Sequence, residues 1–204
     1  SLAGVYPENT IFHPMRLIGR RFSDHVVQDE LRLLPFSIVR GPEDQVLVQV
    51  TLQRKVKLLT AEELCTILFA KMKSIAETYL GAEVKNAVIT IPISINLRQR
   101  EVVRMAAVKA GLEVIRILHP STAAAFAFGW TREADCAAKH VLIIDVGGGN
   151  CNVSLLTIEA GIYEVRAVAG LSQLGGADFD NRMLEYCIAD INRRRSEERR
   201  VGKE

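Results

Sequence analysis

Apolar and polar residues follow helical and strand spacings along this chain, and the best-defined helix begins near residue 60. Thr60 is followed three residues later by Glu63, which is the spacing of a capping box. Apolar residues then recur at roughly helical spacing, at Leu64, Leu68, Ile75 and Tyr79. The pattern predicts a helix that begins after Thr60 and ends at Gly81.

Shorter patterned segments lie on both sides of this helix. Residues 10–20 contain five apolar residues followed by Gly19, and this pattern predicts a short helix that ends at the glycine. Residues 31–39 and 45–52 alternate in part around a Gly-Pro pair and predict a hairpin. Beyond residue 81 the pattern predicts, in order, a strand at 87–91, a helix at 97–110, a strand at 114–118, a helix at 121–128 and a strand at 141–144.

This alternation of strands and helices is typical of an α/β layer built on a mainly parallel sheet. A later hairpin, with arms at residues 152–159 and 162–169, makes the predicted sheet mixed. The run 141–144 is apolar and β-branched, so we interpret it as a strand buried on both faces. Ligands of such sheets usually bind outside the carboxyl ends of the strands.

A glycine-rich turn at that end of the strand is the first candidate for chemistry. Asp145 ends the strand and is followed by Gly147, Gly148 and Gly149. Glycines accept positive φ and let a ligand approach bare backbone, and consecutive amides in such a turn can hold phosphate. Mg²⁺ prefers one or two carboxylates together with waters and substrate phosphates, so the combination suits a magnesium nucleotide. The alternative is a tight hairpin with a capping aspartate.

A second glycine pair, Gly175-Gly176, precedes a predicted helix. Its apolar face would carry Phe179, Met183, Cys187 and Ile191. Two amides at a helix N-terminus suit an anion, and a plain helix start is the alternative interpretation. The sequence holds no GxxxxGK[ST] motif, which argues against a P-loop protein.

Composition and charge narrow the function classes. The 204 residues allow one large or two small domains, and Ser1 suggests that the chain begins inside a longer one. The formal net charge is +2, but residues 193–204 carry six basic and three acidic side chains, so the remainder carries −1. We therefore expect no nucleic-acid partner. Neither a secretory segment nor a membrane span is predicted.

The cysteines and histidines give no metal signature. The four cysteines, at positions 65, 136, 151 and 187, are widely spaced and match no zinc or CxxC pattern. We interpret them as reduced core thiols of a protein in a cytosol-like compartment. The four histidines form no HExxH-like pair and are expected at surface or loop positions.

Several segments together resemble the ATPase domain of the seventy-kilodalton heat-shock chaperones, within the actin and sugar-kinase superfamily. They read RLIGR at 16–20, VKNAVITIP at 84–92, STAAA at 121–125, IDVGGGNCNVS at 144–154, residues 158–165, and LGGADFDNRM at 174–183. The resemblance covers roughly half of that domain and implies an incomplete α/β fold of the actin-like, ribonuclease-H-like type. It would place residues 1–59 in the upper subdomain of lobe I, 60–139 in its base and 140–194 at the start of lobe II.

The resemblance also implies a site and its ligands. ATP or ADP would bind with its phosphates near Gly147, Gly148, Gly149, Asn150, Gly175 and Gly176. Asp145 would hold Mg²⁺ through water. Pro92 and Arg100 match a proline switch and an arginine relay between the nucleotide cleft and a neighbouring domain. J-domain co-chaperones and nucleotide-exchange factors would be the partners, with no membrane and no nucleic acid involved.

Four key catalytic positions depart from the family pattern and leave enzymatic activity open. Met15 stands where the family has a lysine near the transferred phosphoryl group, and Pro120 where it has a glutamate that organises water and metal. Asn150 replaces a threonine, and Asn152 replaces a second metal-side aspartate. Hydrolysis would then be impaired. An ATP-driven chaperone, a non-catalytic nucleotide- or protein-binding module and another actin-like ATPase are the three hypotheses, the last disfavoured by the chaperone-specific segments.

The last ten residues, RSEERRVGKE at 195–204, lack apolar periodicity and break the family pattern. They resemble translated sequencing-adapter read-through. A charged, solvated helix end is the alternative. In either case we expect the segment to be exposed and without a role in function.

Overall fold

The computed structural model describes the backbone of residues 2–130 and 138–201. The chain divides into two compact units, Ser1–Ala123 and Ala124–Glu204, so that the boundary falls inside one helix. No helix in the described part of the chain has both the length and the apolar composition needed to cross a bilayer.

The helices of both units follow the sequence in order. They are α1 (Leu2–Val5), α2 (Pro14–Leu17), α3 (His25–Glu30), α4 (Ala61–Leu80), α5 (Leu97–Lys109), α6 (Pro120–Trp130) and α7 (Gly176–Val201). Two 3₁₀ turns occupy Pro7–Asn9 and Pro42–Asp44.

The strands of the described residues form three separate sheets. The first holds β1 (Ile38–Arg40), β2 (Val46–Leu52) and β3 (Lys55–Thr60), the second β4 (Asn86–Thr90) and β5 (Glu113–Leu118), and the third β6 (Lys139–Val146), β7 (Cys151–Glu159) and β8 (Ile162–Leu171).

The capping box predicted the start of α4 correctly. The Thr60 hydroxyl accepts from the Glu63 amide at 3.1 Å, and the Glu63 carboxylate accepts from the Thr60 amide at 2.8 Å. Two amides that a helix start leaves unpaired are thereby satisfied. At the other end Gly81 has a φ of +66°, a left-handed conformation that glycine adopts without a steric penalty.

The first sheet is an antiparallel meander, and the predicted hairpin is confirmed only in its inner part. β1 pairs with β2 from Ile38↔Val48 to Arg40↔Val46, whereas strand structure is absent over 31–37. The strand β3 was not predicted. It follows a turn in which Gln53 and Arg54 both have left-handed φ angles, of 51° and 62°, and neither residue is a usual turn signal.

The helix predicted over residues 10–20 is limited to the four residues of α2. His13 before it has a left-handed φ of 53°, and Gly19 after it has a φ of +63°. Both angles interrupt a longer helix. Beyond this segment the short helix α3, capped by Asp24, is an element that the apolar pattern did not indicate.

The core of the first unit lies beneath α2, α4 and α5. Its fully buried members include Leu17, Ile18, Val48, Cys65, Ile91 and Val103. Helices α4 and α5 pack on each other, and α5 packs on β5. Two predicted strands, β4 and β5, form the parallel pair of this unit.

The expectation of one mainly parallel sheet is wrong for the described residues. The strand β6 pairs antiparallel with β7, which in turn pairs antiparallel with β8. The physical reason is the short connection between them, because parallel neighbours need a long crossover and a tight turn joins antiparallel strands. The hairpin predicted within residues 152–169 is confirmed as β7 and β8.

The expectation that residues 141–144 are buried on both faces is also wrong. Leu142 and Ile144, which point to the same face of β6, are 60% and 63% exposed. On the opposite face of the same sheet Asn152, Ser154 and Leu156 of β7 are buried. One face of this sheet therefore has no cover among the described residues.

The last helix, α7, runs from Gly176 to Val201 and includes most of the segment at 195–204. Its residues Phe179, Met183 and Ile191 are exposed, and so is Cys187. Because no described element packs on that helix face, Cys187 is not the core thiol that we predicted. Cys65 is buried and Cys151 half-buried, and position 136 lies outside the described residues.

Candidate functional site

The first glycine turn closes the hairpin between β6 and β7. The two strands stay in register up to Val146↔Cys151, and the Gly147 amide donates to the Asn150 carbonyl at 3.0 Å. None of its three glycines has the left-handed φ that would require glycine. Backbone conformation therefore does not explain why this turn contains three glycines.

The second glycine turn packs directly on the first. The Gly176 amide donates to the Gly147 carbonyl at 3.0 Å, and the Ala177 amide donates to the Gly148 carbonyl at 2.9 Å. The start of α7 is thus joined to the turn that follows β6 by two main-chain hydrogen bonds. Of the two residues that the sequence offered to an anion, Gly176 has its amide engaged by a carbonyl group in the structure.

Gly175 is required by this close approach. A Cβ at position 175 would lie 2.6 Å from the Gly149 nitrogen and 2.7 Å from the Gly148 carbonyl carbon. A third main-chain atom, the Asn150 nitrogen, would lie at 2.8 Å. Real Cβ atoms do not approach backbone atoms this closely, so only glycine allows the two turns to meet.

Gly148 is different, because its surroundings do not require glycine. The residue is exposed, and a Cβ built on it would meet no atom within 4 Å. A Cβ on Gly147 would meet only the Asn150 carbonyl oxygen, at the ordinary distance of 3.7 Å. Bare backbone at the tip of the turn therefore faces open space, where a ligand can reach it.

Asp145 and two asparagines form a polar group at the base of this turn. The Asn152 side chain is 1% exposed, and its Nδ2 donates to Asn150 Oδ1 at 2.8 Å and to Asp145 Oδ2 at 3.4 Å. Asp145 lies on β6, half-buried, in register with Asn152 on β7. One buried amide therefore links the acid at the strand end to the last residue of the turn.

This group is compatible with Mg²⁺ only in combination with phosphate and water. The described residues hold no cluster of three or more His, Cys, Asp or Glu side chains that would bind a metal by themselves. Mg²⁺ commonly keeps several waters and uses one or two carboxylates beside the phosphates of its substrate. Asp145 supplies one such carboxylate.

Met15 belongs to the first unit and is partly buried against the core of that unit. Its Sδ lies 3.8 Å from the Sγ of Cys65. Burial, with a smaller contribution from Glu62, raises the pKa of the Cys65 thiol to about 12. The thiol therefore stays protonated at neutral pH and donates a weak S–H···S hydrogen bond to the Met15 thioether.

Pro92, Arg100 and Pro120 also lie in the first unit. Pro92 follows β4, and its carbonyl accepts from the Ile95 amide at 3.2 Å. The half-buried Arg100 on α5 has a buried Nε without a hydrogen-bond partner among the described residues. Pro120 is the first residue of α6, a position that suits proline because the missing N–H would have no partner there.

The structure adds two buried polar residues that the sequence patterns did not single out. Glu30 is 2% exposed and pairs with Arg16, whose Nη1 lies 2.7 Å from Glu30 Oε1. Gln99 is also buried, and its Nε2 donates to the Ile18 carbonyl at 2.8 Å. The sequence signal that could have drawn attention to Gln99 is its capping box with Asn96.

A second ion pair holds the same segment. Arg20 Nη1 lies 2.9 Å from Asp24 Oδ2, and Arg20 Nε donates to the Arg16 carbonyl. Burial acts to raise the pKa of Asp24, but hydrogen bonds from the Val26 amide and from Arg20 outweigh it and lower that pKa. Arg16 and Arg20 thus support the structure of the RLIGR segment.

Comparison with known proteins gives the class of this fold and then its family. A family model described as Hsp70 protein matches residues 3–203. With its mixed α/β architecture, the chain is part of an actin-like ATPase fold. The chain belongs to the Hsp70 family, and the resemblance found in the sequence is confirmed.

Three relatives illustrate the match. Heat shock 70 kDa protein of Neurospora crassa is 44% identical over 189 residues, which cover 92% of this chain and 29% of that protein. Heat shock 70 kDa protein BIP3 of Oryza sativa subsp. japonica is 45% identical over 94% of this chain and 29% of its own length. Heat shock cognate 70 kDa protein 3 of Dictyostelium discoideum is 42% identical, with 92% and 30% covered.

The chain therefore spans less than a third of the length of these three relatives. The family match includes residues 195–203, which we had assigned to a segment outside the family. The origin of that segment stays a prediction.

Proposed function

We propose that this chain is part of the nucleotide-binding domain of an Hsp70-type chaperone and that it binds ATP or ADP with Mg²⁺. The phosphates would lie at the turn formed by Gly147, Gly148, Gly149 and Asn150. Gly175 and Gly176 would support that turn from behind, and Asp145 would reach the metal through water. Family membership supports ATP or ADP as the ligand, and the geometry of the turn supports the position proposed for its phosphates.

The observation that carries this proposal is the bare, exposed backbone at Gly148. Neither its φ angle nor its packing requires glycine, whereas the neighbouring Gly175 is required by a backbone contact. A glycine without a structural reason at the tip of a turn is explained when a ligand lies against it. Backbone amides in such a turn bind phosphate oxygens.

We further propose that hydrolysis is impaired. Phosphoryl transfer depends on positioned charges, and the loss of one such group typically lowers the rate by about 10²–10³. At Met15 a thioether packs against the core, at Pro120 a ring begins a helix, and at Asn152 a neutral amide is buried. None of the three supplies the charge that the family resemblance assigns to its position.

These substitutions favour one alternative function, a non-catalytic nucleotide- or protein-binding module derived from the family. An ATP-driven chaperone hydrolyses ATP, whereas the non-catalytic module does not. Calorimetric titration of Mg-ADP and Mg-ATP, together with a phosphate-release assay, separates them when done on the protein encoded by the complete open reading frame. We expect binding of both nucleotides and a kcat at least about 10²-fold below that of an Hsp70 measured in parallel.

Two results would count against this proposal. Hydrolysis at the rate of the parallel Hsp70 would contradict the claim of impaired turnover. A lack of affinity for either nucleotide would contradict the nucleotide site itself and would leave the protein-binding module as the function.

A glycine substitution tests the position of the phosphates. Gly148→Ala should lower the affinity for Mg-ADP by about 10- to 100-fold, because a methyl group there blocks a charge-assisted hydrogen bond without disturbing the fold. Titration calorimetry measures the affinity. Gly4→Ala is the matched control, since Gly4 is also exposed with no atom within 4 Å of its Cβ position.

The two variants should have unfolding temperatures similar to that of the unsubstituted protein. Equal ADP affinities of Gly148→Ala and Gly4→Ala would show that the phosphates do not lie at this turn.

The remaining expectations follow from the family. We propose J-domain co-chaperones and nucleotide-exchange factors as partners, a role in protein folding under stress, and a cytosolic location. We also propose that residues 1–59 and 60–139 belong to lobe I and residues 140–194 to lobe II. Pro92 and Arg100 would act in the relay between domains.

A further inference from the structure

The buried amide of Asn152 lies between the Asp145 carboxylate and the side-chain carbonyl of Asn150, at the base of the first glycine turn. Its Nδ2 carries two N–H donors and no charge. The structure directs that nitrogen to Asn150 Oδ1 and to Asp145 Oδ2. The amide thus joins strand β6 to the end of the turn by side-chain hydrogen bonds.

A carboxylate at position 152 would behave differently in the same place. It would be almost fully buried, and the oxygen in the place of Nδ2 would face two acceptor oxygens, one of them on the Asp145 carboxylate. Two carboxylates at this distance repel each other unless a proton or a metal ion lies between them. A turn built with aspartate at 152 therefore needs a proton or a metal ion between the two carboxylates, whereas the turn built with asparagine needs neither.

We propose that Asn152 replaces a divalent cation in holding Asp145 and the turn, so that the shape of the turn and its affinity for nucleotide depend only weakly on Mg²⁺. The part about nucleotide rests on the function proposed above. The part about the shape of the turn rests only on the contacts of Asn152. The two parts therefore have separate measurements.

The first measurement is thermal unfolding without nucleotide, on the protein encoded by the complete open reading frame. The unsubstituted protein should have the same unfolding temperature in Mg²⁺ and in EDTA. Asn152→Asp should unfold at a lower temperature in EDTA and recover in Mg²⁺. Asn152→Ala, which removes the bridge without adding charge, should be destabilised equally in both. An Asn152→Asp protein that is insensitive to Mg²⁺ would overturn the proposal.

The second measurement is the affinity for ADP in Mg²⁺ and in EDTA, by titration calorimetry. Removal of Mg²⁺ should weaken ADP binding by less than about 10-fold in the unsubstituted protein. In Asn152→Asp it should weaken binding by about 10- to 100-fold more, the range expected for the loss of one hydrogen bond to a charged group.

The outcomes distinguish this inference from the proposed function. If no variant binds ADP under either condition, the nucleotide site is wrong, and the unfolding temperatures still decide the role of Asn152. If Asn152→Asp does not fold even in Mg²⁺, the proposal is tested by the ADP affinity and the unfolding temperature of the unsubstituted protein. A loss of its ADP affinity well above 10-fold in EDTA, or a lower unfolding temperature there, would overturn the proposal.

Discussion

Replacing Glu30 by alanine should lower the free energy of unfolding by about 3–5 kcal/mol, the usual cost of breaking a buried ion pair by removing one partner. Glu30 is 2% exposed, and its carboxylate lies 2.7 Å from the Arg16 guanidinium. Without it the largely buried guanidinium of Arg16 loses the carboxylate that accepts its Nη1 hydrogen bond. Denaturant unfolding of the chain, followed by circular dichroism, measures the difference.

The control for this experiment is Glu83→Ala. Glu83 also pairs with a basic residue, Lys85 at 3.2 Å, but both side chains are more than half exposed. Exposed pairs contribute about 0–1 kcal/mol, so this variant should unfold almost as the unsubstituted chain does. If both variants lost the same small amount, the Arg16–Glu30 pair would not have the structural role that we assign to it.

Replacing Gly175 by alanine should separate the two glycine turns and destabilise their contact by about 3 kcal/mol or more. The added Cβ would lie within 2.8 Å of three main-chain atoms of the first turn. Backbone atoms cannot rotate away, so the turn would have to move and break two hydrogen bonds, from Gly176 and Ala177. Overpacking costs about 1–3 kcal/mol, and each lost hydrogen bond adds about 0.5–1.5 kcal/mol.

Hydrogen exchange measures this effect at the two amides concerned. In Gly175→Ala the amides of Gly176 and Ala177 should exchange at least about 10²-fold faster, because opening no longer costs the free energy of the contact. Gly148→Ala, whose Cβ has free space, should leave their exchange unchanged. Unchanged protection in Gly175→Ala would mean that the two turns do not pack as described.

The two glycine variants also separate structure from function. Gly175→Ala should lower nucleotide affinity by disturbing the turn, whereas Gly148→Ala should lower it with the turn intact. A fall in affinity with unchanged exchange therefore identifies direct contact with the ligand, and a fall with faster exchange identifies loss of support.

Elements with local signals were predictable from the sequence. The capping box of Thr60 and Glu63 and the glycine at 81 set the two ends of α4, because caps act within one helical turn. The turn at Ala160 and Gly161, with φ angles of 47° and 80°, marked the hairpin of β7 and β8. By contrast, α3 and β3 have weak local signals, and tertiary packing decided both.

The candidate site was predictable in its residues and not in its arrangement. The glycines and Asp145 were visible as a pattern. We expected the glycines to accept positive φ and to let a ligand approach bare backbone, and none of those in the first turn has a positive φ. The contact between Gly175 and the first turn joins residues far apart in the sequence. No periodicity reports such a contact.

The sequence by itself determined the family, the main helices and the positions of both glycine turns, because motifs and caps depend on residues close to one another in the chain. Only the tertiary structure decided that Gly175 must be bare for steric reasons, that Gly148 has no such need, and that the Asn152 amide holds Asp145. Steric contact and hydrogen bonding between distant segments depend on distances that only the folded chain sets.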